Sequence, residues 1–247
     1  MWGLIVYLNK RPLVSVVIPT WNNEKVFSDC LRSLLSFTDS NIEVHVVVNG
    51  EPYDIQVNGD IKVNFYNVGK NLGWMGGINY CKDKVNGDFV LLLNDDTQVL
   101  DYDNDWLNRM LECFELYRYN QTNPGAVVPI SNAIMGLQNI NESINMSSRV
   151  HTLPAISGCC ALLPKRVLDE VGWLDETLRG GDDVDLSIRL MDAKYSMLCR
   201  RDVFIIHRYA VTGKRVSGDY WDSKDHVEDM RIDLIRKHGL KKVLGVA

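Results

Sequence analysis

The chain has 247 residues, 46% of them apolar and 24% charged, a balance suited to a globular core of one or two lobes. A formal net charge of −5 with no basic stripe argues against a nucleic-acid binder. The six cysteines, at 30, 81, 113, 159, 160 and 199, form no C-x-x-C pair and no zinc spacing. They read as reduced, buried thiols of a cytoplasmic protein.

The opening "MWGLIVYLNKR" falls far short of the roughly 20 apolar residues that span a bilayer. It also lacks the basic start and small-residue cleavage site of a signal peptide, which leaves a strand or a flap over the sheet. No later run is long enough to span a membrane, so the expectation is a soluble protein. "LVSVVIPT" (13–20) is a β-branched run that reads as a buried strand ending near Pro19. "NNEKVFSDCLRSLLSF" (22–37) places apolar residues at helical spacing behind an asparagine cap. Strands follow at 42–50 and 61–68, a glycine-led helix at 73–85 and a strand at 88–94. This alternation predicts a mainly parallel sheet with helices on its faces, and such sheets bind ligands beyond the carboxyl ends of their strands. The predicted ends carry Pro19-Thr20-Trp21-Asn22, Asn49-Gly50, Asn67 to Gly73, and Asn94-Asp95-Asp96, so the polar residues gather at one edge.

Beyond residue 100 the pattern loosens. A helix is expected over 106–120, and residues 131–150 read as an Asn/Ser-rich surface excursion. A strand and then a helix from about Pro164 occupy 156–176, a second helix 182–195, and a strand ends at His207. In the tail, "DMRIDLIRKHGLKKVLGVA" fits an amphipathic helix. Packing on its own domain is favoured there over a peripheral contact with a membrane surface.

Three stretches carry chemistry. Asn94 and Asp96 lie two residues apart on an extended chain, on one side, and offer hard oxygen ligands suited to Mg²⁺ or Mn²⁺. An equal alternative is that Asp95, Asp96 and Thr97 merely turn the chain. "NVGKNLGWMGGIN" (67–79) has glycines that allow close backbone approach to a ligand, yet it is neither a dinucleotide fingerprint nor a P-loop. "RGGDDVDLSIRL" (179–190) sets Asp182 and Asp183 at a helix start, either as caps or, in a half-open pocket, as a general base.

Taken together, "VSVVIPTWNNEKVFSDCLRSL", "VVVNG", "NLGWMGGIN", "LLLNDDT", "ISGCCALLPKRVLDEVGWLDE", "GGDDVDLSIRL" and "FIIHRY" resemble the family 2 glycosyltransferases. The nearest branch is the rhamnosyltransferase-like one, matched in order and spacing over roughly residues 12–210. The resemblance implies an α/β GT-A fold, with a single Rossmann-like, mainly parallel sheet flanked by helices and a mixed acceptor-side half. It implies one domain over 1–247, with a nucleotide-binding half (12–100), an acceptor half (101–216) and a C-terminal helical tail (217–247). The implied reaction is an inverting, metal-dependent transfer of a hexosyl or deoxyhexosyl group from a UDP-, dTDP- or GDP-sugar to a hydroxyl acceptor such as a glycan.

On that pattern Pro19, Thr20, Trp21, Asn22 and Asn49 line the nucleotide pocket. Asn71, Gly73, Gly76, Gly77 and Asn79 run along the nucleoside and diphosphate, with Asn94 and Asp95 beside them. Asp96 and His207 hold Mn²⁺ or Mg²⁺, and Asp183 is the base, with Asp182 as its neighbour. Trp173, Asp175 and Glu176 flank the acceptor. Asn94 stands where relatives often have Asp, Val48 where they often have Asp, and Asp182 where they usually have Glu, a shortening that could exchange the roles of Asp182 and Asp183. Two rivals differ in class. A sugar-nucleotide pyrophosphorylase needs a glycine-rich basic signature that "IPTWNNEKV" lacks, and a non-catalytic nucleotide-sugar or carbohydrate-binding module is kept open by Asn94.

Overall fold

The computed structural model describes residues 11–57, 59–116, 122–134, 136–143, 147–208 and 223–246. The N-terminal strand or flap expected at 1–10 lies outside these residues. The parallel half comprises β1 (Val14–Thr20), α1 (Glu24–Ser36), β2 (Ile42–Val48), β3 (Lys62–Asn67), α2 (Gly73–Tyr80) and β4 (Phe89–Leu93). The remainder comprises β5 (Thr97–Val99), α3 (Trp106–Leu116), β6 (Pro124–Ser131), α4 (Ile140–Ser143), β7 (Val150–Leu153), β8 (Cys160–Pro164), α5 (Lys165–Val171), α6 (Asp182–Asp192), β9 (Ser196–His207), α7 (Lys224–His238) and α8 (Leu240–Val246).

Among the described residues one nine-stranded sheet runs in the order β3-β2-β1-β4-β8-β6-β9-β5, with β7 also paired to β9. β3, β2, β1 and β4 are mutually parallel. β8 runs against both β4 and β6, whereas β6 and β9 are parallel to each other. β6 and β9 therefore point the same way as β4. The result is a mixed α/β fold with helices on both faces of a central sheet.

Every residue of β1 and β2 is buried, which explains their unbroken apolar reading. Alternate side chains feed two cores. Val14, Val16 and Ile18 meet Phe27 and Leu34 of α1 and Trp106 and Met110 of α3. Val17, Val47, Val90 and Leu92 meet Ile78 of α2, Leu168 of α5 and Leu186 of α6 on the other face. The six cysteines are free and buried among these layers.

Three strands were not predicted. β6, "PGAVVPIS", contains two prolines, residues that normally argue against a central strand. The register against β9 shifts between Pro124 and Ala126 and between Pro129 and Ile130, so the strand accommodates the rings by irregularity. β5 and β7 have three and four residues, too short to show a period. In the tail the single expected helix is two, because Gly239 takes φ +82°, a left-handed conformation that interrupts the turn between α7 and α8. Among the described residues no helix is long and apolar enough to cross a membrane.

Candidate active site

The ends of β1, β2, β3 and β4 lie along one edge of the sheet. A cavity of about 360 Å³ opens there between the first three, lined by Trp21, Asn22, Asn49, Gly50, Asn67 and Gly69 among others. Its floor is fixed by local hydrogen bonds. Asn22 has φ 47°, and its Oδ1 accepts from the Glu51 amide at 3.0 Å. That side chain fills the space where a Cβ on residue 50 would sit, 2.0 Å from Asn22 Oδ1, so any larger residue at position 50 would displace the Asn22 side chain from its bond to Glu51. Asn49 donates to the Gly73 carbonyl at 3.1 Å and accepts from the Leu72 amide at 3.3 Å. It thus pins the start of α2 to the end of β2.

The predicted residues of α2 divide by role. Asn71 Oδ1 accepts from the Gly73 amide at 2.8 Å, and Gly73 has φ +68°. Gly77 faces Pro19, where an added Cβ would lie 2.7 Å from the proline Cβ, so this glycine sets the closeness of helix to strand. Gly76 lies against Glu176, and Asn79 donates to the Leu174 carbonyl at 2.7 Å and to Glu176 at 2.8 Å. Asn79 therefore joins α2 to the segment 173–176. There Trp173 is buried and donates to Asp169 at 3.0 Å, and Asp175 accepts from Thr177 and from Lys237 Nζ.

Beyond β4 the chain turns two adjacent carboxylates toward different partners. Asp95 and Asp96 are both buried. Asp95 accepts from Thr20 Oγ1 at 2.7 Å, whereas Asp96 Oδ1 lies 3.2 Å from His207 Nε2. Sheet topology causes the second pairing, because β5 pairs antiparallel with β9 and sets Thr97 opposite His207. His207 Nε2 is also 3.3 Å from Asn94 Nδ2, and its Nδ1 is 3.0 Å from the Ala133 carbonyl. Burial disfavours the imidazolium. The hydrogen bond and charge of Asp96, with the Ala133 carbonyl, more than offset this, and His207 titrates above its ordinary value.

The second acidic pair starts α6. Gly180 and Gly181 both have positive φ and pass beneath α7, where added Cβ atoms would lie 2.9 Å from Met230 Sδ and Leu234 Cδ1. Asp182 and Asp183 are half-buried at the helix start. Trp74 Nε1 donates to Asp182 Oδ2 at 3.0 Å, and Asp183 Oδ1 accepts from the Val184 amide at 2.8 Å. Burial raises both carboxyls above the usual range, and for Asp182 the charge of Asp183 adds to it.

The dipeptide Gly158–Cys159 joins Asn94, the residue before the first acidic pair, to Asp183 of the second. The Asn94 amide donates to the Cys159 carbonyl at 2.9 Å, as the pairing of Leu93 with Cys160 requires. On the other side the Gly158 backbone hydrogen-bonds to Asp183, and the missing Cβ of Gly158 would lie 3.6 Å from Asp183 Cβ. Burial pushes the Cys159 thiol up to about 12, and the charges of Asp96 and Asp183 both contribute.

The glycosyl transferase family 2 profile matches residues 15–172, well over half of the chain. The chain belongs to glycosyl transferase family 2. It is 25% identical over 203 residues to an uncharacterized glycosyltransferase of Rickettsia felis, covering 73% of this chain and 31% of that protein. The family 2 chain thus spans about a third of the length of that relative. Among solved structures it resembles the Pyrobaculum calidifontis mannosyltransferase PcManGT in complex with GDP-Man and Mn²⁺. The TM-score is 0.65 at 17% identity, over 92% of this chain and 65% of that one. It also resembles GalNAc-T7 with UDP, GalNAc and Mn²⁺, with TM-score 0.61 at 14% identity over 81% and 44% of the two chains. These likenesses establish the GT-A fold.

In this family 2 chain the acidic pair at 182–183 lies outside the matched stretch, so its place rests on the geometry around Gly158. Sequence reasoning missed three supports of the site. Asn132 holds the His207 backbone from both sides, donating at 3.0 Å and accepting at 2.8 Å. Ala133 supplies a carbonyl that no side-chain pattern reveals. Trp74 had one signal, a large amphipathic ring in a helix otherwise rich in glycine.

Proposed function

We propose that the protein is a metal-dependent, inverting glycosyltransferase that moves a sugar from a nucleoside diphosphate donor to an acceptor hydroxyl. The observation that carries this reading is the approach of the two acidic pairs through Gly158–Cys159. One acidic group beside a diphosphate and a separate one for a proton are the minimum equipment for such a displacement. The GDP-Man, UDP and Mn²⁺ bound in the similar structures support the donor class and the cation.

In this reading the nucleoside enters the cavity beside Trp21, Asn22 and Asn49 and the diphosphate runs along α2 toward Asp95 and Asp96. Among the described residues no three His, Cys, Asp or Glu side chains cluster to hold a metal. A carboxylate and an imidazole whose Nδ1 faces a carbonyl do fit a divalent cation completed by substrate oxygens, so Asp96 and His207 would hold it. The bound cation would neutralise charge developing on the departing diphosphate.

The acceptor oxygen attacks the anomeric carbon on the face opposite the leaving group. The carbon–oxygen bond to phosphate breaks with its electrons on the nucleoside diphosphate, and the acceptor proton passes to Asp183. Burial makes that carboxylate more basic, which suits it to the role. Asp182 is held by Trp74 and sits beside it. Trp173, Asp175 and Glu176, tied to α2 through Asn79, border the acceptor side.

A donor panel of UDP-, dTDP- and GDP-sugars with Mn²⁺ tests the assignment. Slow hydrolysis of one donor by the wild-type chain is expected. Asp183→Asn should abolish turnover while nucleoside diphosphate affinity stays within about twofold. Binding without turnover by the wild type would instead mark a nucleotide-sugar-binding module.

A further inference from the structure

Two bonded links lead from the nucleotide cavity to the acidic pair. Asn49, a lining residue of the cavity, bonds both sides of the Leu72–Gly73 peptide through its amide. The next residue, Trp74, reaches from α2 across to α6 and donates its indole N–H, the one polar hydrogen of its side chain, to Asp182 Oδ2 at 3.0 Å. The backbone leaves this segment little freedom. Gly73 is held in the left-handed region with its amide bonded to Asn71, and α2 is pressed on β1 by the Gly77–Pro19 contact. The indole also packs against the buried cluster that contains Ile78, Trp173 and Leu186, so its ring is fixed as well as its N–H.

We propose that Trp74 is a positioning residue that transmits occupancy of the nucleotide cavity to the acidic pair, by way of Asn49 and the start of α2. Resting on the glycosyltransferase reading, the inference adds a residue and a coupling to it. A ligand that engages Asn49 moves or stiffens the Leu72–Gly73 peptide. Trp74 carries that change to one oxygen of Asp182, and Asp182 sets the position and charge environment of Asp183 beside it. The bond also divides the pair. Asp182 is the anchored carboxylate, and Asp183, which accepts from the backbone amides of Val184 and Gly158, is the one left to meet an acceptor proton.

The test uses the full chain with ¹⁵N-labelled tryptophan, the indole resonance of Trp74 being assigned by its loss in Trp74→Phe. Asp182→Asn should move that resonance, and GDP or UDP with Mn²⁺ should move it in the wild type but not in Asn49→Ala. In turnover with the active donor, Trp74→Phe should lower kcat about tenfold and leave the donor KM within about twofold, since a bond to a charged group is worth that much. In the Asp182→Ala background, which has no acceptor for the indole, the same change should have no further effect.

An indole signal indifferent to Asp182→Asn, or to the nucleotide, overturns the coupling whether or not the protein transfers sugar. Loss of nucleotide affinity in step with kcat would make Trp74 a ligand contact and also overturn it. Turnover absent with every donor, with the resonance responding as expected, would reject the glycosyltransferase reading and leave the coupling standing. If Trp74→Phe does not fold, Asp182→Asn and Asn49→Ala interrogate the same bonds from their other ends.

Discussion

Thr20 at the end of β1 donates its hydroxyl to Asp95, just past the end of β4, at 2.7 Å. This bond, with His207 facing Asp96 at 3.2 Å, explains how two adjacent carboxylates persist in a buried place. Thr20→Val keeps the β-branch and removes the hydroxyl. It should cost about 1–3 kcal/mol in chemical denaturation and weaken nucleoside diphosphate binding. Unchanged stability would mean that the compensation of Asp95 lies elsewhere.

Asp96 and His207 test the cation directly. In calorimetry with GDP or UDP and Mn²⁺, Asp96→Ala or removal of metal by EDTA should weaken binding about tenfold or more, and His207→Ala should weaken it less. Affinity indifferent to metal would take the cation out of the proposed mechanism.

At the opposite edge of the sheet, Glu43 accepts from Ser15 Oγ at 2.7 Å and from the Asn86 amide at 2.8 Å, and lies 3.0 Å from His45 Nε2. Burial alone would raise this carboxyl, but the bonds from His45, Ser15 and Asn86 outweigh it and bring it from 4.5 to about 2. A depressed carboxyl contributes stability that is present above its unfolded pKa and lost as pH falls through the folded one. Acid unfolding should therefore steepen between pH 4.5 and about 2. Glu43→Gln should flatten that limb and cost about 2–3 kcal/mol at pH 7.

The acidic pair has the opposite sign. Burial raises Asp182 and Asp183, so ionising them destabilises the fold, and their contribution is lost as pH rises above the ordinary carboxylate range. Asp182→Asn should raise Tm at pH 8 by a few degrees, about 1 kcal/mol, and give no gain at pH 4, while lowering turnover. A gain equal at both pH values would point to packing instead of charge.

Asp185, fully buried one turn into α6, faces Arg189 at 2.8 Å and Lys237 Nζ and His238 Nε2 at 2.6 Å each. The last two come from α7. Lys237→Ala should therefore cost about 1–2 kcal/mol, more than an exposed ion pair, by leaving a buried charge less compensated. Heat denaturation compared with Lys242→Ala, an exposed pair with Asp192, checks it.

Sequence alone determined the parallel half of the sheet and the edge where its polar residues gather. Both follow from local rules: β-branched runs buried on two faces read as strands, and residues such as Asn22, Asn49 and Asp95 interrupt those runs where the chain leaves the core. Tertiary structure decided which carboxylate met which partner. The bond from Trp74 to Asp182 spans 108 positions, and Asp96 meets His207 only because a three-residue strand, β5, pairs with β9. Such contacts depend on strand order and register, which are properties of the whole sheet, and no short-range spacing encodes them.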